Sequence, residues 1–291
     1  MILDQLLGDF PRFHFLDHYY LKHPLARPGG CTHLTEVPGW SFVEHLLAQP
    51  GVDFLAARPE KVWEGGIVPT LAQARQLLTE GYTLRFRAAE RHHPALLALA
   101  QDFQQAFAAP VDIHLYCTPA KNPGLNWHFD AEEVFILQTA GSKSWWVRKN
   151  TVHPWPVPES IPQDMRYERE LMPALQCQLQ AGDWLYVPGG FWHRTQADSE
   201  SISLSLGVMA TTALDVYNFL HHRLLQSILW RQRLPTPGTA STLTEAELQT
   251  QYLEVFQELG KDLLLHFSSQ KTVSEFLSHR RTGSATESIK K

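Results

Sequence analysis

The stretch from Val111 to Val208 constrains the fold most, because it is a series of short apolar segments separated by proline and glycine. This punctuation is typical of antiparallel sandwiches and barrels. Within it, serine at 201, 203 and 205 alternates with isoleucine or leucine at 202, 204 and 206, which predicts a strand with one face in a core. The predicted strands are Asp112–Tyr116, Glu133–Thr139, Ser144–Arg148, Trp184–Val187 and Ser201–Val208.

Helical patterns flank this stretch on both sides. Apolar residues recur on one helical face between Pro94 and Phe107, and again between Leu214 and Ile228. A further helix is predicted to begin at Thr242, because Glu245 three residues later completes a capping-box pattern. We therefore predict four regions: a mainly helical part (residues 1–110), a β core (111–210), a helical region (211–280) and a disordered tail (281–291).

Composition excludes several classes of protein. The 291 residues carry a formal net charge of −5, which argues against nucleic-acid binding through a general positive field. The amino terminus carries acids where a signal peptide carries lysines, and no apolar run is long enough to span a bilayer, so we expect a cytoplasmic protein without membrane contact. The 3 cysteines are far apart, which excludes a cysteine-built zinc site.

His128 and Asp130 are two residues apart, so on an extended strand both side chains point to the same face and can share one metal ion. The 15 histidines and 30 acids predict roughly one or two His-x-acid matches by chance, so this spacing alone proves little. A second block, Gly182–His193, is a turn, an apolar strand and another turn that ends in a histidine. Together the three residues predict a two-histidine, one-carboxylate triad, the set that suits Fe(II) with open positions.

The alternative is that the three side chains are structural. In that reading His128 caps a turn, Asp130 accepts backbone amides, and His193 is a hydrogen-bonded histidine of the barrel. Lys143 adds weight to the metal site, because a lysine entering an aromatic and apolar stretch must either reach water or pair with an anion. We predict that it binds the far carboxylate of a diacid that chelates the metal, and that Tyr116 adds a hydroxyl. Taken alone, a tyrosine in such a position is more often a core residue than a ligand-binding one.

Several motifs resemble the JmjC ribosomal oxygenases of the cupin superfamily, a group of protein hydroxylases. Ile113–Ala120 (IHLYCTPA) resembles the family's Asn-x-Tyr-x-Thr-Pro strand, and the run from His128 to Trp145 resembles its His-x-Asp, Asp-Val-Phe and Gly-x-Lys-x-Trp motifs. Gly182–His193 resembles its second metal block, and Tyr19–Leu25 (YYLKHPL) resembles an amino-terminal helix. The likeness covers about residues 10–230.

The resemblance implies a double-stranded β-helix (cupin/JmjC jelly roll) flanked by amino- and carboxy-terminal helices. It implies Fe(II) held by His128, Asp130 and His193, with 2-oxoglutarate as co-substrate held by Lys143 and Tyr116. With O2, the implied reaction converts 2-oxoglutarate to succinate and CO2 and hydroxylates a side chain of a protein or peptide. Asn126 and Ser203 are further candidates, which would orient the metal ligands or the substrate, and His114 is a candidate position next to the co-substrate.

Two departures from the family pattern stand out. His114 occupies a position where the family strand usually has asparagine, so the pocket is expected to differ there. The residues after 235 supply about one long helix, a short one and a tail, so we expect the family's winged-helix domain to be missing, which places ribosomal proteins in doubt as substrates. The family's helices after the β-helix build a homodimer, and the apolar stripe from Leu214 to Leu229 fits either that role or docking within the chain.

Other functions remain open at this stage. The same chemistry could act on a small molecule or free amino acid, and histone demethylation is a further variant. A cupin metalloenzyme that does not use 2-oxoglutarate is a second class, against which Lys143 argues. A ligand-binding barrel is a third, against which the complete set of predicted ligands argues.

Overall fold

The computed structural model describes residues 2–32, 39–59, 61–65, 68–124, 126–162, 175–235 and 244–283. Two compact units are present, Met1–Ala210 and Thr211–Lys291. The first unit contains all the described strands and the first five helices, and the second contains three further helices. No helix in these described ranges is both long enough and apolar enough to cross a membrane.

Eleven strands are described, and every pairing between them is antiparallel. They are β1 (Leu25–Arg27), β2 (Asp53–Arg58), β3 (Lys61–Val62), β4 (Thr83–Arg87), β5 (Val111–Thr118), β6 (Glu133–Ala140), β7 (Lys143–Arg148), β8 (Leu175–Leu179), β9 (Trp184–Val187), β10 (Trp192–Ala197) and β11 (Ser201–Val208). The larger sheet has the order β1-β9-β6-β11-β5-β4-β2-β3, and the smaller has the order β10-β7-β8.

Eight α-helices accompany the described strands. They are α1 (Ile2–Leu7), α2 (Arg12–His18), α3 (Trp40–Leu47), α4 (Leu71–Thr79), α5 (Pro94–Phe107), α6 (Ala213–Leu224), α7 (Glu245–Phe267) and α8 (Gln270–Gly283). Short 3-10 turns cover Ala89–His92 and Pro158–Ser160. The two antiparallel sheets with helices before and after them confirm the predicted double-stranded β-helix with helical flanks.

Two apolar clusters lie on opposite faces of the larger sheet. Ile202, Leu204 and Leu206 of β11 belong to the first cluster, together with buried residues of α1, α3, α4 and α5. The second cluster lies between the sheets, where Val134 and Ile136 of β6 meet residues of β7. Because successive strand residues face opposite sides, the serines of β11 turn toward the second sheet, as the alternation predicted.

The five predicted strands are confirmed, and three of them are longer than predicted. The pattern did not indicate β10 or β8, because their outward residues are polar and their apolar runs are short. Strands β2 and β4, from the first 110 residues, extend the larger sheet beside β5. Both strands carry charged residues, such as Arg58 and Arg87, which weakens the sequence signal.

The prediction that a helix begins at Thr242 is wrong by two residues. The sequence contains Thr-x-x-Glu twice in overlapping registers, and the capping box that forms joins Thr244 to Glu247, so α7 begins at Glu245. Thr242 itself lies outside the described residues. Of the predicted tail, residues 281–283 continue α8, and residues 284–291 lie outside the described ranges.

Helix α6 begins with a second capping box, between Thr212 and Asp215. The apolar stripe from Leu214 to Leu229 is helical only in its first part, because α6 ends at Leu224 and turns follow. Leu214 and Tyr217 on α6 are 42% and 57% exposed, so apolar surface remains open to solvent. The role of this surface in a homodimer stays a prediction.

We expect Gly141→Ala to destabilise the first unit by about 2–4 kcal/mol. Gly141 lies in the two-residue turn between β6 and β7 with φ +65°, and an added Cβ would lie 2.0 Å from the Glu200 carbonyl oxygen. Gly8→Ala is the matched control, because Gly8 has φ +61° with nothing within 4 Å of an added Cβ. Urea unfolding measures both changes, and equal losses would show that the contact with Glu200 is unimportant.

Candidate metal centre

Two separate segments bring the predicted ligands together. His128 lies between β5 and β6, and its backbone N–H donates to the His193 carbonyl at 3.1 Å. The His193 N–H at the start of β10 donates back to the His128 carbonyl at 2.8 Å, and the imidazole centroids are 4.2 Å apart. Asp130 Oδ2 lies 3.4 Å from His193 Nε2. One ligand atom from each of the three residues lies within 4.8 Å of the others, so the set can surround one ion.

Backbone carbonyls orient both imidazoles. His128 Nδ1 lies 2.8 Å from the Asn126 carbonyl oxygen, and His193 Nδ1 lies 3.0 Å from the Phe191 carbonyl oxygen. Because a carbonyl only accepts, each Nδ1 carries the proton and donates, which leaves a lone pair on Nε2 of the neutral ring. Burial, helped by the neighbouring His193, lowers the pKa of His128 to about 4, so this imidazole is neutral and ready to bind a metal at pH 7.

The third ligand is ionised. Burial alone would raise the pKa of Asp130, but contacts with His193 and the nearby His128 and His114 lower it to about 2. The Asp130 carboxylate oxygen and His193 Nε2 lie 3.4 Å apart, an arrangement that a shared cation stabilises. Two histidines and one carboxylate on one side of an ion leave positions free for a bidentate co-substrate and O2, so the donor set fits Fe(II).

The turn before His193 is fastened to the segment that carries Asp130. The Gly190 N–H donates to the Asp130 carbonyl at 2.7 Å, and Gly190 has φ +81°, which favours glycine. The Gly189 N–H donates to Glu133 Oε1 at 3.0 Å, and the other oxygen of Glu133 accepts from the Tyr186 hydroxyl. The glycine pair of this block therefore holds His193 next to Asp130.

Lys143 is a buried cation without a counter-ion among the described residues. Its side chain lies at the start of β7 and is only 4% exposed. Its ammonium Nζ donates to Thr118 Oγ1 at 3.2 Å and to Ser203 Oγ at 3.3 Å, and no described carboxylate lies within ion-pair distance of it. Burial lowers its pKa to about 8. An unpaired buried ammonium is costly, so this cradle is suited to the carboxylate of a ligand.

Tyr116 lies on the same strand face as Thr118, directly opposite Ser203 in the sheet. This position puts it one strand from the hydroxyl that contacts Lys143. Burial raises the pKa of Tyr116, so its hydroxyl keeps its proton at neutral pH, and Arg85 on β4 hydrogen-bonds to it. The structure therefore places Tyr116 beside the cradle as a neutral hydroxyl.

The three further residues predicted near the metal and the co-substrate occupy different places. Asn126 meets the site through its backbone carbonyl, and its side chain is exposed. Ser203 contacts Lys143 and so lies at the carboxylate cradle. His114 accepts a hydrogen bond from the Ala88 N–H at 3.4 Å, and burial lowers its pKa, so it is a neutral ring on the same face of β5 as Tyr116.

Sequence reasoning missed two residues near the centre. Thr118 contacts Lys143, and its signal was present, because it lies two residues after Tyr116 and therefore on the same face. Glu132 lies beside Asp130, and burial together with Asp130 and Asp112 raises its pKa to about 7. Its signal was also present, because Glu132 is two residues after Asp130, whereas Glu133 is three residues after it and bonds to Tyr186 and Gly189.

Comparisons with known proteins agree with this geometry. The family described as the JmjC domain matches residues 90–216. A bifunctional lysine-specific demethylase and histidyl-hydroxylase NO66 of Drosophila persimilis is 25% identical over 218 residues, which is 70% of this chain and 31% of that protein. Ribosomal oxygenase 2 of Bos taurus is 34% identical over 131 residues, which is 45% of this chain and 27% of that protein. The chain thus matches less than a third of the length of either relative.

Solved structures show the same fold. The Escherichia coli ribosomal oxygenase YcfD superposes with a TM-score of 0.60 at 19% identity, covering 86% of this chain and 66% of that one. A structure of YcfD in complex with cobalt and 2-oxoglutarate superposes with a TM-score of 0.58 at 18% identity, covering 92% of this chain and 69% of that one. The donor atoms of the triad described above are a set that fits Fe(II). Residues 90–216 of this chain therefore match the JmjC domain, and the chain is similar in sequence and in fold to the ribosomal oxygenases.

Proposed function

We propose that this chain is an Fe(II)- and 2-oxoglutarate-dependent oxygenase that hydroxylates a side chain of a protein or peptide. The observation that carries this proposal is the triad of His128, Asp130 and His193 in the same JmjC domain as Lys143, a buried ammonium with no described counter-ion. Metal ligands alone would suit many cupins. The Lys143 ammonium provides, in addition, a partner for the second carboxylate of a diacid such as 2-oxoglutarate.

Each residue has a separate task in this scheme. Nε2 of His128, Nε2 of His193 and a carboxylate oxygen of Asp130 hold the metal, and the carbonyls behind each Nδ1 keep the rings turned toward it. Lys143 holds the far carboxylate of 2-oxoglutarate. When bound, Fe(II) with O2 and 2-oxoglutarate places one oxygen atom in a C–H bond and the other in succinate, with loss of CO2.

Two hydroxyls complete the carboxylate cradle. Thr118 and Ser203 already lie within hydrogen-bond distance of Lys143 Nζ, so a carboxylate that enters can accept from the ammonium and from these hydroxyls together. Tyr116, opposite Ser203, adds a neutral phenol on the same face. The barrel interior thus offers donors where the co-substrate carries negative charge.

A protein substrate is supported by the relatives, whose names record ribosomal oxygenases, a histidyl-hydroxylase and a lysine-specific demethylase. We propose hydroxylation as the reaction. Demethylation is the variant in which the same reaction takes place on an N-methyl group. A small molecule or free amino acid as substrate is the alternative with the same metal chemistry. The succinate assay with added candidate substrates distinguishes these alternatives.

The test measures succinate formed from 2-oxoglutarate by the purified chain with Fe(II) and ascorbate under air, comparing wild type with His128→Ala. Wild type is expected to form succinate, slowly without substrate, and the variant none. Addition of total ribosomal protein or a peptide library is expected to accelerate turnover, with one protein gaining the mass of an oxygen atom. Acceleration by free amino acids alone would favour the small-molecule alternative.

Absence of turnover leads to a second measurement, binding of 2-oxoglutarate in the presence of Mn(II). Binding that requires both Mn(II) and Lys143 supports the proposal even where the substrate is missing. Absence of this binding would overturn it, in favour of another cupin activity or a ligand-binding barrel.

A further inference from the structure

A row of three side chains crosses the outer face of the smaller sheet, directly behind the candidate metal ligands. The guanidinium carbon of Arg194 lies 5.3 Å from the ring centroid of Trp127 and 4.6 Å from that of Trp146. Both distances are within the range of an attractive cation–π contact, and the guanidinium touches two indoles at once. Trp127, Arg194 and Trp146 are called the Trp–Arg–Trp clasp below.

The clasp is aligned with the metal ligands by strand geometry. Trp127 directly precedes His128, and Arg194 directly follows His193, and these two histidines pair in an antiparallel bridge. Because successive residues point to opposite faces, the imidazoles turn inward while Trp127 and Arg194 turn outward on the same side. Trp146 pairs with Arg194 in the β7–β10 register, which extends the row to a third strand.

The segment that carries His128 is not part of a long strand, so its position depends on side-chain contacts such as those of the clasp. It leaves β5 at Thr118 and enters β6 at Glu133. Its backbone meets β10 at Asn122, whose carbonyl accepts from the Ala197 N–H at 3.1 Å, and then again at the isolated bridge of His128. A single bridge leaves the position of an imidazole sensitive to the side chains on either side of it.

We propose that Arg194 is a positioning residue for the metal centre: clasped between Trp127 and Trp146, it holds His128 against β10 at the spacing that a shared metal requires. This inference rests on the proposed function of the triad. The clasp touches neither metal nor substrate, and it acts through the adjoining histidines. Groups behind metal ligands that fix their orientation commonly change metal affinity by about 10- to 100-fold when removed.

The experiment measures Co(II) affinity of the full chain by visible absorption, well below the thermal midpoint. Arg194→Met, which keeps the length and removes the charge, is expected to weaken Co(II) binding about tenfold. Arg194→Lys should lie between wild type and Arg194→Met, because an ammonium still interacts with an indole face. The matched control is Arg75→Met, which removes an exposed arginine 4.2 Å from the Trp40 centroid, away from the triad, and is expected to leave Co(II) affinity unchanged.

A double-mutant cycle tests the clasp itself. Trp127→Leu and Arg194→Met remove the same contact, so the combined variant is expected to lose little more affinity than either single variant. Full additivity, wild-type affinity in Arg194→Met, or an equal loss in Arg75→Met would each overturn the inference. Failure of wild type to bind Co(II) would overturn the proposed function as well, whereas normal wild-type binding with an unaffected Arg194→Met overturns the clasp alone.

Discussion

The Asp130→Ala variant is expected to bind Co(II) or Mn(II) more than about 100-fold more weakly than wild type and to form no succinate. Asp130 is the only carboxylate of the triad among the described residues, and contacts with the two imidazoles keep it ionised, with a pKa of about 2. Its removal takes away the one negative charge that offsets the dication. Thermal unfolding with added Mn(II) measures the effect, because a ligand that binds only the folded state raises the midpoint.

Asp112→Ala is the matched control for this variant. Asp112 is another aspartate close to the centre, where it contributes to the raised pKa of Glu132, but it is outside the triad. We expect Asp112→Ala to retain the upward shift of the midpoint with Mn(II) that Asp130→Ala loses. A normal shift in Asp130→Ala would remove the carboxylate from the metal site.

The Lys143→Met variant is expected to weaken 2-oxoglutarate binding at least about 30-fold while metal affinity stays close to wild type. Lys143 is 4% exposed, and among the described residues its ammonium hydrogen-bonds only to the hydroxyls of Thr118 and Ser203, so a bound carboxylate would be its counter-ion. Calorimetry with Mn(II)-loaded protein measures the affinity. The control for loss of charge is Lys149→Met, at an exposed lysine just after β7. This variant should bind 2-oxoglutarate with wild-type affinity.

The same substitution should stabilise the protein without ligand, by roughly 1–3 kcal/mol at pH 7. Burial lowers the pKa of Lys143 from 10.5 to about 8, so the folded state disfavours the charged form. A folded pKa below the unfolded one means that this penalty is fully present below pH 8 and disappears as the pH rises toward 10.5. Loss of stability in Lys143→Met at pH 7 would show that the ammonium is satisfied without a ligand.

Wild-type affinity for 2-oxoglutarate should therefore fall as the pH rises above about 8, where the free ammonium loses its proton. Lys143→Met should lack this dependence. Equal loss of metal in Lys143→Met and Asp130→Ala would contradict the separate roles given to the two residues.

The parts of the fold that could be predicted from the sequence are those with a local period. Alternation located β11 at its observed bounds, and the helical period located α5. Strands β2, β4, β8 and β10 could not be located in this way. Each is a short run of mixed polar and apolar residues, and its strand conformation depends on pairing with distant partners. The start of α7 was ambiguous because two overlapping capping patterns were present.

The residues of the candidate site also fall into two groups, those that a local pattern indicated and those that depend on distant partners. The spacing of His128 and Asp130 in the sequence already indicated that their side chains point to the same side, and the apolar stretch around Lys143 already marked this lysine, because residue spacing sets the direction of side chains over a few positions. Three contacts became visible in the folded chain alone: His193 pairs with His128, Thr118 and Ser203 accept hydrogen bonds from the Lys143 ammonium, and Arg194 lies between Trp127 and Trp146. These contacts join segments far apart in the chain, and the register between strands, which no local pattern encodes, places them together.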